Sequence, residues 1–74
     1  MPKITLYHTD GCHLCEQALD LFIQAGLEAN VNLIDIVESE ALMAEYQTNI
    51  PVAQFSTGTK LFWPFTLEDI LNNK

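Results

Sequence analysis

The stretch Lys3-Ile4-Thr5-Leu6-Tyr7-His8-Thr9-Asp10-Gly11-Cys12-His13-Leu14-Cys15 decides the fold, because three patterns succeed one another within it. Lys3 to His8 alternates and carries β-branched and aromatic residues, which predicts a strand, and Thr9-Asp10-Gly11 is a turn cluster that ends it. From Cys12 to Ala25 the polar residues His13, Glu16, Gln17, Asp20 and Gln24 recur at spacings that place them on one face of a helix. The opposite face carries Leu14, Cys15, Ala18, Leu19, Leu21, Phe22 and Ala25, and Gly26 supplies a natural stop. A Cys-x-x-Cys pair therefore lies where a strand hands over to a helix.

Working outward, Val31-Asn32-Leu33-Ile34-Asp35-Ile36 is short and β-branched and predicts a second, mostly buried strand. Strand, helix and strand imply a right-handed parallel βαβ unit. A second helix is expected from about Ser39, an N-cap, to Gln47, with Leu42, Met43 and Tyr46 inward. Ile50-Pro51 ends it, since the residue before proline is pushed out of the helical region. Pro51 to Phe55 and Lys60 to Trp63 are apolar runs separated by Ser56-Thr57-Gly58-Thr59, which predicts a β-hairpin. Trp63-Pro64-Phe65 breaks the strand, and Thr66-Leu67-Glu68-Asp69 reads as a capping box with an acid at N3, opening a helix through Leu71 or Asn72. The expected order is βαβαββα.

The 74 residues, 49% of them hydrophobic, are expected to form a single domain, 1–74, with one core. Three lysines face ten acids, a net charge of −7 with no arginine, which argues against nucleic acid and anionic membrane as partners. No apolar run reaches the ~18 to 20 residues of a membrane span. Met1-Pro2-Lys3 leads straight into the alternating segment without a signal-peptide core, so a cytoplasmic location is expected. A disulfide closing a loop this short stabilises by roughly 2 kcal/mol, against about 3 for a fifteen-residue loop. Cys12 and Cys15 are better read as chemistry or metal than as a staple.

At the first turn of a helix the free N–H groups and the positive end of the helix dipole favour a thiolate, which assigns the nucleophile to Cys12. Cys15, one turn further in on the apolar face, is then the resolving thiol. A protonated His13 beside the thiolate would stabilise it and make the disulfide more oxidising. The other reading of His13 is a solvated residue spaced i, i+3 from Glu16. Asp10 acts against the thiolate, as any neighbouring acid does. His8, Cys12, His13 and Cys15 are all acceptable zinc ligands. Two of them are adjacent and on different helical faces, so no metal site is assigned. A metal or iron-sulfur cluster held through Cys12 in a dimer is one alternative. A non-catalytic binding module whose cysteines are small buried hydrophobes is another. Phe62, Trp63 and Phe65 are expected in the core rather than in a docking patch.

Leu6-Tyr7, Gly11-Cys12-His13-Leu14-Cys15-Glu16, Ile50-Pro51-Val52 and Trp63-Pro64-Phe65 together resemble the thioredoxin superfamily, and within it the short glutaredoxin-like domains. The resemblance spans essentially the whole chain. It implies a four-stranded mixed sheet with helices on both faces and a redox-active Cys12-Cys15 disulfide. It also implies a cis Ile50-Pro51 bond that lets the backbone at Ile50 bind an extended substrate strand. The implied activity is that of a thiol-disulfide oxidoreductase acting as a monomer on a disulfide-containing protein or small thiol. No organic cofactor is implied, and electrons come from glutathione as co-substrate or from a thioredoxin-type system. Glutaredoxins usually carry a lysine before the first cysteine, proline and tyrosine between the pair, and Gly-Gly before the last helix. Here these places hold Thr9-Asp10-Gly11, His13-Leu14 and Phe62-Trp63-Pro64.

Overall fold

The computed structural model describes residues 3–73; Met1 and Pro2 of the expected lead-in, and Lys74, lie outside the described residues. The elements are β1 (Ile4–His8), α1 (His13–Gln24), β2 (Val31–Asp35), α2 (Glu40–Tyr46), β3 (Val52–Phe55), β4 (Lys60–Phe62) and α3 (Leu67–Asn73), with short 3-10 turns at Glu28–Asn30 and Ile36–Glu38. The sheet order is β2-β1-β3-β4. β1 runs parallel to β2 and antiparallel to β3, and β3 pairs antiparallel with β4. The result is a mixed sheet with helices on both faces.

Alternation along the two central strands divides the apolar residues between those faces. Ile4 and Leu6 of β1 and Ala53 and Phe55 of β3 pack with Ala18 and Phe22 of α1, Phe65 and Ile70. The Phe22 ring lies 6.0 Å from Phe65 and 6.4 Å from Phe55. Tyr7 and Val52 face the other way, toward Ile36 and Tyr46, and the Tyr7 and Tyr46 rings stack at 4.6 Å.

Each helix is bounded by the groups the sequence supplies. Gly26, at φ 75°, follows α1 in the left-handed region that an L side chain resists. Its N–H donates to the Ile23 carbonyl and that of Leu27 to the Phe22 carbonyl, both at 3.0 Å, the Schellman arrangement. Ser39 Oγ accepts from the Leu42 N–H at the start of α2. At α3 the Asp69 N–H donates to Thr66 Oγ1 at 3.1 Å, and the Thr66 N–H donates to the Asp69 carboxylate at 3.0 Å. The expected capping box is closed in both directions.

Several expectations are corrected. β2 is an edge strand rather than a mostly buried one: Asn32 is exposed and Leu33 is 47% exposed. Its apolar residues resemble a buried strand's because Val31 and Ile34 are half covered, while Ile36 leaves the strand for the buried 3-10 turn. Leu14 is 43% exposed, because the buried stripe of α1 is the narrower one through Cys15, Ala18 and Phe22. Cys12 caps α1 instead of being its first helical residue. β4 stops at Phe62, which is 51% exposed on the other edge strand, so of the three aromatics expected in the core only Phe65 is fully buried there.

Candidate functional site

β1 ends at His8, and Thr9 to Gly11, with Gly11 at φ 77°, turn the chain so that Cys12 meets the start of α1. Cys12 is extended, at φ −87° and ψ 104°, and its Sγ accepts the Cys15 N–H at 3.2 Å. Its carbonyl accepts the Glu16 N–H, also at 3.2 Å. Sulfur thus occupies the position usually held by a serine or aspartate oxygen at a helix N-terminus. The two cysteines form a disulfide with their Cα atoms 5.2 Å apart, inside the span a disulfide can bridge. Cys12 is half-buried and Cys15 is 5% exposed, so one sulfur faces the surface and the other the interior.

His13 lies on the outer side of the first turn with its side chain 91% exposed, and Nδ1 is 3.3 Å from Glu16 Oε2. The i, i+3 pairing expected of a solvated histidine is therefore formed. Ile50 and Pro51 are placed by the sheet. Val52 pairs with Tyr7, so the register carries Pro51 to the end of β1 from which the cysteine loop departs. Pro51 is fully buried, and the Ile50-Pro51 and Trp63-Pro64 bonds are cis. The Ile50 N–H donates to the Tyr46 carbonyl at 3.1 Å, which closes the end of α2.

Two depressions lie at the start of α1, and Cys12 lines the smaller. One, of about 210 Å³, is lined by Asp10, Cys12, Cys15, Glu16 and Leu33 among others. The other, of about 560 Å³, runs between α1 and the segment after β4 and is lined by His13, Glu16, Gln17, Asp20, Leu21 and Trp63. The sequence carried no signal for the second: Trp63 is 42 residues or more along the chain from every other wall, although the polar stripe of α1 was legible. The two described lysines, Lys3 and Lys60, are elsewhere. Lys3 precedes the far end of β1. Lys60 has its ammonium 5.2 Å from the Tyr46 ring and 3.5 Å from Glu45, and a Tyr46 hydrogen bond raises its pKa. Among the described residues no group of three or more metal-ligating side chains converges, and no helix is long and apolar enough to cross a membrane.

A mixed four-stranded sheet, helices on both faces and a Cys-x-x-Cys at the strand-to-helix junction define a domain of the thioredoxin superfamily. Residues 3–73 match the family described as Glutaredoxin-like domain (DUF836), and the chain belongs to it. Two solved structures are similar over most of its length, both of the structural-genomics target protein XcR50 from X. campestris. The X-ray structure is 36% identical, with a TM-score of 0.82 over 90% of this chain and 88% of that one. The solution structure is 35% identical, with a TM-score of 0.83 over 97% of this chain and 95% of that one. No functionally curated protein matches the chain.

Proposed function

We propose that this glutaredoxin-like domain is a thiol-disulfide oxidoreductase, with Cys12 as nucleophile and Cys15 as resolving thiol. The observation that carries the reading is the Cys15 N–H donated to Cys12 Sγ at the N-terminus of α1, with Cys15 itself buried beneath. That donor and the helix dipole both favour negative charge on the outer sulfur.

In the reductive direction the Cys12 thiolate attacks one sulfur of a substrate disulfide, forming a Cys12 mixed disulfide and expelling one substrate thiolate. The Cys15 thiol loses its proton to solvent and attacks Cys12 Sγ. The Cys12-Cys15 bond forms, the mixed disulfide breaks, and the second substrate thiolate leaves. Two electrons have passed to the substrate, and a thiol reductant returns the domain to the dithiol. No organic cofactor takes part. The Ile50 carbonyl, at the same end of the sheet, accepts an N–H of the substrate strand in this reading.

The test is the pH dependence of iodoacetamide alkylation of the reduced protein, with mass spectrometry assigning the label. Cys12 is expected to react at pH values below the free-cysteine range, about 8.5, with Cys15 labelling slowly. If both thiols label slowly, or only near or above that range, the oxidoreductase reading fails.

A further inference from the structure

We propose that the disulfide this site reduces is flanked by lysine or arginine in a polypeptide substrate, selected by Glu16, Asp20 and Trp63 in the groove beside Cys12. The inference rests on the thiol-disulfide reading and names its substrate class. The groove of about 560 Å³ begins at His13, next to the nucleophile, and continues along α1 to Asp20 and across to Trp63. Glu16 also lines the smaller depression, where Asp10 joins it. Asp10 and Glu16 therefore stand in the depression that Cys12 lines, and Glu16 is shared with the groove that starts at the neighbouring His13.

Among the described residues no lysine neutralises either groove carboxylate. Glu16 meets the His13 imidazole, and Asp20 accepts a 2.7 Å hydrogen bond from the uncharged Gln24 amide. Lys60 is held by Glu45 and Tyr46, and Lys3 stands beyond the far end of β1. The Trp63 indole, packed edge-on against Phe65 at 5.2 Å, adds a fixed aromatic wall on which a guanidinium or ammonium group can rest. Such a groove concentrates cationic disulfides at Cys12 and repels anionic ones, and the molecule's net charge of −7 acts in the same direction. A disulfide whose own carboxylates flank the sulfurs is the disfavoured case.

The experiment uses single-turnover reaction of the fully reduced protein with three disulfide-linked peptide dimers. These are blocked pentapeptides with a central cysteine flanked on both sides by lysine, serine or glutamate. Acid quench and mass spectrometry follow the loss of the dithiol, and each rate is divided by that of 2-mercaptoethanol with the same peptide, which removes intrinsic reactivity. The normalised rates are expected to fall in the order lysine, serine, glutamate, spanning at least about tenfold at low ionic strength and collapsing in 0.5 M salt. Glu16→Gln is expected to lower the lysine-peptide rate about threefold. Glu28→Gln, the same charge change beyond the other end of α1, keeps the wild-type lysine-to-glutamate ratio if the groove and not net charge does the selecting. Equal normalised rates, glutamate fastest, or an equal response to both substitutions overturns the proposal while leaving thiol-disulfide exchange standing. Reaction of all three peptides with 2-mercaptoethanol but none with the protein removes the oxidoreductase reading and this inference with it.

Discussion

Replacing Cys12 by serine and by alanine separates two roles that one sulfur holds in this fold. Both variants lack the proposed nucleophile, so both are expected to be inactive, yet they differ in what they offer the Cys15 N–H. In the structure that N–H donates to Cys12 Sγ at 3.2 Å and is one of the orphan donors at the start of a twelve-residue helix. Serine retains an acceptor at the cap position; alanine removes it, at a cost of about 1 kcal/mol. In a domain of this size that separates the two melting temperatures by about 4 to 8 °C, Cys12→Ser being the more stable. Thermal unfolding by circular dichroism, under reducing conditions so that no disulfide contributes, reads the difference. The reduced wild type adds a pH signature. A thiolate favoured in the folded state contributes stability that is fully present above the unfolded-state value, about 8.5, and is lost as pH falls through the folded-state value. Wild type minus Cys12→Ser should therefore rise with pH and level off above that range. Equal melting temperatures for the serine and alanine variants, with a flat pH difference, would refute the capping argument.

Cys15→Ser should leave Cys12 able to attack and unable to be released, so a mixed disulfide on Cys12 accumulates and is seen as an adduct in the intact mass. Full turnover by this variant would sink the two-thiol mechanism. Phe22→Ala empties the centre of the core between Phe55 and Phe65 and should cost about 3 to 5 kcal/mol. That is much of the roughly 4 to 11 kcal/mol expected for a chain of this length, so urea denaturation should find the alanine variant partly unfolded and Phe22→Leu folded. Thr66→Ala breaks the reciprocal cap of α3 and should lower stability by about 1 kcal/mol in the same titration. Gly26→Ala forces an L side chain to φ 75° and should cost about 1 to 2 kcal/mol, although open space surrounds the new Cβ.

Local patterns were legible where one element decides its own environment. The stripe of α1, the Gly26 stop, the Ser39 cap and the Thr66-Asp69 box are all set within a few residues, and the structure has each of them. What the sequence could not show was lateral order. Val31 to Ile36 reads as buried because its composition is apolar, but β1 and β3 take the centre and β2 is left at an edge with Leu33 exposed. Phe62 is misplaced for the same reason on the opposite edge. At the site, the cysteine positions followed from the strand-to-helix junction, whereas the groove wall at Trp63 depends on α3 docking beside α1, a contact between segments far apart in the chain.

The spacing of the cysteines joins these levels. Three residues along a helix make almost a full turn, so a cap residue and the residue three further on stand above one another, here with Cα atoms 5.2 Å apart. The bridge can then open or close within a turn whose backbone is already set, while Cys15 stays buried on the stripe that continues through Ala18 and Phe22. One residue more or fewer between the cysteines would rotate the second by about 100° relative to the first. Either the inner sulfur would leave the buried stripe or Ala18 and Phe22 would leave the core. Because the same register that seats Phe22 against Phe55 and Phe65 also holds Cys15 beneath Cys12, packing and the proposed chemistry constrain this helix together.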